Sequence, residues 1–343
     1  MYVGSFNIQN ISLSKISNKF ILDSIIQIIL KYDILFILEV CGNKQEAIKL
    51  FDIITNKLNN KYNYLLSDKT GKTSSSAEYI CCLYLNNLIM NQIELSIIDY
   101  PILILFDRLP FITRTNINDH NIIFIINHIS PKNVLTELNT LSDTFDSLND
   151  SNNYYILMGD YNAGGAFLNH KELKECKLFQ NTNLSLLTDN EITNLGKKSE
   201  SYDRIFCSNN TINILNKMDD LDFGLNSYCD VDNYYNRVDT LCSAESINKL
   251  FNLYNNIDIN NQFNLTEYLQ KSKKFLKKIN QINQILESID FKEGTTKEEG
   301  TTKEENIEIE KYITNSLDTI KQIVLKKCKM ISDHFPIYCQ LKL

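Results

Sequence analysis

Apolar residues arrive along this chain in two rhythms. Ile34–Leu38 is a short run apolar on both faces, the signature of a buried strand, and Ile122–Asn127 and Tyr155–Met158 are strand candidates. Tyr2–Asn7, Tyr62–Leu66, Tyr79–Leu85, Phe111–Thr115, Arg204–Cys207 and Pro336–Leu341 read as further strands. Between them the apolar spacing lengthens to three and four residues. It predicts helices around Phe20 to Leu30, Ala47 to Leu58 and Val134 to Leu148. This alternation predicts an α/β chain. The strands also tend to end on polar residues; the run Ile34–Leu38, for example, stops at Glu39.

The stretch between Cys207 and Ile331 is patterned differently. Leu265 to Ile289 is a long Lys-rich amphipathic helix pattern, followed by GTTKEE at 294–299 and again at 300–305. Repeats of that composition cannot bury a core, so 294–305 reads as disordered. Ile307 to Cys328 returns to a helical pattern. Residues 219–306 therefore read as an insertion within a single catalytic domain spanning 1–343.

Composition narrows the class. The 343 residues are 43% hydrophobic with a net charge of −7, enough to bury a large core, and no run reaches the length of a membrane span. Met1 to Gln9 lacks a basic start and an apolar run of the signal type. Nine cysteines without a CxxC knuckle argue against structural zinc and against a disulfide framework. An intracellular protein, cytoplasmic or nuclear, is the expectation. Gly and Pro are scarce, at 10 and 4, and Trp is absent. That usage suggests an AT-rich genome, in which the placement of rare residues is informative. Pro110, Pro131, Pro336, His128 and His334 all fall in short polar motifs.

Each motif is weak alone. Asp160 and Asn162 in MGDYNA could orient a hard cation or phosphate oxygens, but Gly, Asp and Asn also favour plain turns. His128 closes an apolar run, where a histidine is more often structural. Asp333-His334 sets a carboxylate beside an imidazole, suited to holding a cation and moving a proton. Asp203 could fix an imidazole tautomer, or form an ordinary surface pair with Arg204. Together, Asn7, Glu39, His128, Asp160, Asn162, Asp203, Asp333 and His334 all lie at predicted strand ends. Such a set suits metal-assisted attack of water on a phosphodiester.

In that order the motifs SFNIQN, ILEV, DRLPF, NHISP, MGDYNA, SYDRIF and SDHFP resemble the endonuclease/exonuclease/phosphatase superfamily, and within it deoxyribonuclease I. The resemblance spans residues 1 to about 210 and about 315 to the end. It implies a four-layer α/β sandwich, two packed mixed sheets flanked by helices. It implies Glu39 and Asp333 as metal ligands, and Asn7 and Arg108 as substrate-binding groups. His128 and His334 become the catalytic imidazoles, with Asp203 holding His334 and Asp160 and Asn162 positioning water and phosphate. The implied cofactor is Mg²⁺, with Ca²⁺ or Mn²⁺ as further candidates.

Some positions depart from the family. Ungapped, Ala77 falls where the family has the Glu that supports the first histidine, and Glu78 is next to it. One residue along a strand flips the side chain to the other face, so Glu78 can support His128 only if its strand carries a bulge. Family arginines are replaced by Gln9 and Cys41, and a groove-stacking Tyr by Ser75. The family's disulfide cysteines fall at about Gly165 and Glu200. Lys72, Lys197 and Lys198 are candidates for replacement phosphate contacts.

The sequence therefore predicts a divalent-metal-dependent enzyme that hydrolyses DNA endonucleolytically, with no membrane span and no obligate protein partner. Two rivals stand beside it. One is a phosphatase or phospholipase of the same superfamily; the other is a catalytically dead interaction scaffold.

Overall fold

The strands form where branched and aromatic residues cluster, and they pair into two mixed sheets. The computed structural model describes residues 1–73, 77–93, 100–188, 193–194, 200–215 and 329–342. These belong to one compact unit drawn from Met1–Tyr228 and Cys328–Leu343. The expected insertion at 219–306, with its repeat at 294–305, lies outside the described residues.

The first sheet is built from β1 (Tyr2–Ile11), β2 (Ile34–Val40), β3 (Tyr62–Leu66), β4 (Tyr79–Leu85) and β11 (Ile337–Gln340), in the order β11-β1-β2-β4-β3. The second contains β5 (Asn91–Gln92), β6 (Phe111–Ile117), β7 (His120–His128), β8 (Tyr154–Asp160), β9 (Leu184–Leu186) and β10 (Asp203–Ser208), in the order β5-β6-β7-β8-β10-β9. Each sheet has one parallel pair, β1 with β2 and β7 with β8; the remaining pairs are antiparallel.

Three apolar cores make the layers. Helices α1 (Leu13–Ile16), α2 (Lys19–Ile29) and α3 (Lys44–Lys57) pack on the outer face of the first sheet. The outer face of the second is covered chiefly by α5 (Val134–Leu148), with α4 (Tyr100–Leu103), α6 (His170–Glu175) and α7 (Lys177–Gln180) beside it. Between the sheets lies a core that includes Phe36 and Phe124, whose ring centroids are 5.4 Å apart across the interface. The fold is the expected four-layer α/β sandwich.

Alternation along the strands sets which residues continue the inter-sheet stripe. Ile122, Phe124 and Ile126 of β7 face that core, so His128 follows on the same side. By the same parity Ile156 and Met158 lead to Asp160, and Ile205 and Cys207 lead back to Asp203. The cleft is thus the polar end of the inter-sheet core.

That parity also corrects the condition attached to Glu78. Ile80, Cys82 and Tyr84 face the inter-sheet core, and Glu78 shares their face with no extra residue in its own strand. The irregularity is in β2: Ile37 pairs with Cys81 and Val40 with Tyr79, which leaves Leu38 and Glu39 together opposite Ile80. Glu39 has φ +58°, so β2 does not stop there but bulges and runs on to Val40. The bulge puts Glu39 on the same side as Leu38.

Candidate active site

Three neighbouring strands lay out the middle of the cleft. His128 pairs in register with Asp160, and Asp160 with Asp203, across β7, β8 and β10. The approach of β7 to β8 depends on Gly159, whose φ is +147°. A Cβ there would lie 1.9 Å from the Asn127 carbonyl oxygen. The glycine of MGDYNA therefore serves a close backbone approach inside a strand and not merely a turn.

Each imidazole is fixed by a carboxylate. His128 Nδ1 is 2.8 Å from Glu78 Oε1, and His334 Nδ1 is 2.8 Å from Asp203 Oδ2. The other ring nitrogens converge on Asp160 Oδ2, at 3.7 Å for His128 Nε2 and 3.4 Å for His334 Nε2. Asn7 Nδ2 donates to that oxygen at 3.0 Å and to Glu39 Oε1 at 2.9 Å. Asp160 Oδ1 accepts from the Asn162 N–H, and Asn162 Nδ2 donates to the Ile129 carbonyl. Arg108 Nε lies 3.1 Å from Glu78 Oε2. Arg204 is buried and donates to the Ala163 carbonyl at 3.2 Å, so Asp203 and Arg204 are not a surface pair.

Electrostatics follow from this burial. Desolvation works against a charged His128, yet the charge and direct bond of Glu78, with Asp160, outweigh it and raise its pKa to about 9. His334 rises to about 10: burial opposes the charge, but Asp203, Asp160 and Asp333 prevail. Asp160 is held below the ordinary carboxylate range. Its own burial pushes the other way, and His334, His128 and the bonds from Asn162 and Asn7 overcome it.

A left-handed irregularity near the end of β1 gathers the two expected metal ligands. Gln9 and Asn10 have φ +30° and +56°. Gln9 Nε2 donates to Asp333 Oδ2 at 3.0 Å, and the Asn10 N–H donates to Glu39 Oε2 at 2.8 Å. Lys15 Nζ clamps this part of β1 through the Ile8 and Gln9 carbonyls; burial lowers its pKa to about 8 against the pull of Glu39 and Asp333. Asp333 Oδ1 is buried without a hydrogen-bond partner among the described residues. An orphaned carboxylate oxygen, with a second carboxylate bonded to the next residue of β1, supplies hard donors of the kind a divalent cation takes. Asp160, Asp203 and His334 also cluster within ligand range; His334 Nδ1 engages Asp203 Oδ2, while Asp203 Oδ1 is likewise buried without a hydrogen-bond partner among the described residues.

Several positioning groups lay beyond the sequence reading. Thr193 Oγ1 accepts from the Tyr202 and Asp203 N–H groups, and its carbonyl accepts from the Phe335 N–H. It thereby ties together the segments that carry Asp203 and His334. Ser332 Oγ donates to the Asn7 carbonyl and accepts from the His334 N–H. Cys41 is half-buried at the cleft edge, its Sγ 3.4 Å from Asn10 Oδ1. Lys72 Nζ donates to the Ile104 carbonyl, while Lys197, Lys198 and Ser75 lie outside the described residues. Gly165 and Glu200 do meet in space: a Cβ on Gly165 would lie 2.7 Å from Glu200 Cδ.

Two mixed sheets packed face to face with helices outside, and a polar constellation at one end of their shared core, are the architecture of an endonuclease/exonuclease/phosphatase-type sandwich. Within that class the chain resembles the deoxyribonuclease I group. It is 28% identical over 210 residues to Deoxyribonuclease-1-like 1 of Cricetulus griseus, covering 59% of this chain and 68% of that protein. It is 27% identical over 222 residues to Deoxyribonuclease gamma of Homo sapiens, covering 60% and 71%. Among solved structures, a humanized D. rerio TDP2 superposes with a TM-score of 0.45 and 12% identity, over 61% of this chain and 83% of that one. No family model matches the chain.

Proposed function

We propose that this chain is a divalent-metal-dependent phosphodiesterase that cleaves DNA endonucleolytically. One observation carries the reading: two imidazoles, each locked by a carboxylate on Nδ1, turn their Nε2 atoms toward one ionised aspartate, Asp160. In a phosphodiester reaction, Asp160 aligns the attacking water and takes its proton. Water oxygen bonds to phosphorus, the ester oxygen departs, and an imidazolium supplies the proton that oxygen needs. The second imidazolium and Arg108 lie against phosphate oxygens and offset charge there. Asn7 and Asn162 hold Asp160 in its rotamer. Glu39 and Asp333 would hold the cation, which when bound adds positive charge beside the phosphate.

The names of the similar proteins, Deoxyribonuclease-1-like 1 and Deoxyribonuclease gamma, support DNA as substrate. All six cysteines among the described residues are free, which supports an intracellular setting. Among the described residues no helix is long and apolar enough to cross a membrane.

The test is nicking of supercoiled plasmid with Mg²⁺, with and without chelator, beside His128→Ala. Metal-dependent nicking by the wild type, lost in the variant, is the expected result. Hydrolysis of lipid or soluble phosphoesters with none of DNA would overturn the substrate assignment in favour of the phosphatase or phospholipase rival. An inert wild type that binds DNA or a protein partner would support the scaffold.

A further inference from the structure

Glu137 sits in the first turn of α5, fully buried beside Val134, Leu138 and Leu141. A carboxylate in that setting costs free energy unless both oxygens find donors. Both do. Oε2 accepts from the Ser130 N–H at 3.2 Å, and Oε1 accepts from the Asp107 N–H at 3.3 Å. The two amides belong to separate segments. Ser130 stands two residues after His128, where the chain leaves β7, and Asp107 immediately precedes Arg108.

The same two segments meet a second time at Glu78. Arg108 Nε approaches Glu78 Oε2 at 3.1 Å, and His128 Nδ1 approaches Glu78 Oε1 at 2.8 Å. A closed ring results, from Glu137 through Asp107 and Arg108 to Glu78, and back through His128 and Ser130. Glu78 holds the side chains and Glu137 holds the backbones beneath them. Asn127 Nδ2 reinforces the ring by donating to the Arg108 carbonyl at 3.4 Å.

We propose that Glu137 is a positioning residue whose carboxylate fixes the two backbone segments so that Arg108 and His128 seat together on Glu78. The proposal rests on the phosphodiesterase reading, because a phosphate shared by Arg108 and His128 is what requires them at fixed spacing. Burial pushes the Glu137 carboxyl up to about 7, against the pull of the two amides and Arg108, with Asp107 adding to the rise. The carboxylate thus sits where burial disfavours its charge, and the two amides are what oppose that penalty.

Glu137→Gln tests this, since it keeps the shape but turns one acceptor into a donor facing an N–H. The chain has four histidines. In metal-free protein the carboxylate-bonded Nδ1–H protons of His128 and His334 should therefore give two assignable downfield signals. The expected result is a shifted or broadened His128 signal and an unmoved His334 signal. Plasmid nicking should drop about ten- to a hundredfold. An unmoved His128 signal, or both signals moving together with a lowered melting temperature, would overturn the proposal. Should the variant not fold, amide exchange in the wild type decides: slow exchange at both Ser130 and Asp107 supports the clamp, and fast exchange at either sinks it. If the wild type does not nick DNA, the spectroscopic and exchange results still stand, and only the functional reading falls.

Discussion

Glu78 Oε1 stands 2.8 Å from His128 Nδ1, and it does so from the strand position next to the one an ungapped family comparison selects. The geometry works because β4 keeps its alternation while its neighbour β2 takes up the extra residue at Glu39. One bulge therefore serves two ends. It leaves Glu78 on the inter-sheet face and brings Glu39 to that same face, beside Asn7.

Glu78→Gln should lower both the His128 pKa and the nicking rate. Glu78 supplies the largest force raising that pKa, so its neutral analogue lets the value drop from about 9 toward the ordinary 6.5. Loss of a general-acid imidazolium costs about 10²–10⁴-fold. The pH–rate profile of the variant should lose activity at lower pH than the wild type on the alkaline side. A profile superimposable on the wild type would mean that Glu78 does not set the state of His128.

Stability of the metal-free protein should decline toward alkaline pH. His128 at about 9 and His334 at about 10 both lie above the ordinary imidazole value of 6.5. A histidine raised on folding contributes stability that is fully present below about 6.5 and lost as pH rises through its folded value. Thermal melting in chelator from pH 6 to 10.5 should fall most steeply between about 7 and 9, where both histidines are protonated only in the folded state, and level off above about 10. His334→Ala should flatten part of that fall, and a wild-type curve level across the range would contradict the assignment.

Much of the frame was legible because it depends on periodicity. Tyr62–Leu66 and Tyr79–Leu85 form over the residues their patterns mark, and Val134–Leu148 is helical throughout. The site was legible as residue types at strand ends, since parity carries each apolar stripe into a polar tip. What escaped depends on backbone conformation or on partners remote in sequence. A positive φ at Glu39 leaves no mark in composition, and the threonine that joins Asp203 to His334 looks like any loop residue. Glu137 did leave a trace. It falls three residues after Val134 and beside Leu138, on the apolar stripe of its helix, where a carboxylate is out of place.

Gly159→Ala should disable the site through the backbone. A Cβ at that position meets the Asn127 carbonyl at 1.9 Å, and φ of +147° is closed to alanine without strain. The β7–β8 ladder must shift, and with it the His128–Asp160 pairing. A destabilisation of at least about 1–3 kcal/mol is expected from the backbone strain alone. Urea melts should show it together with lost nicking. Retention of both would mean that the strands are not pinned there.

The cation should act through Glu39 and Asp333 and not through the Asp160–Asp203–His334 cluster, and melting experiments separate the two. Gln9 and Asn10 tether both carboxylates to the irregular end of β1, and Asp333 Oδ1 is left with no hydrogen-bond partner among the described residues. A ligand that binds only the folded state at a hundredfold excess over its Kd stabilises by about 2.7 kcal/mol. Mg²⁺ should therefore raise the wild-type melting temperature, and chelator should abolish both the rise and the nicking. Glu39→Gln and Asp333→Asn should each remove most of the Mg²⁺ response. Asp203→Asn should keep it while losing activity, because Asp203 Oδ2 fixes the His334 ring through Nδ1 at 2.8 Å. The reverse pattern, with the Mg²⁺ response lost in Asp203→Asn and kept in Asp333→Asn, would move the cation to the buried cluster and require a different division of labour among the acids.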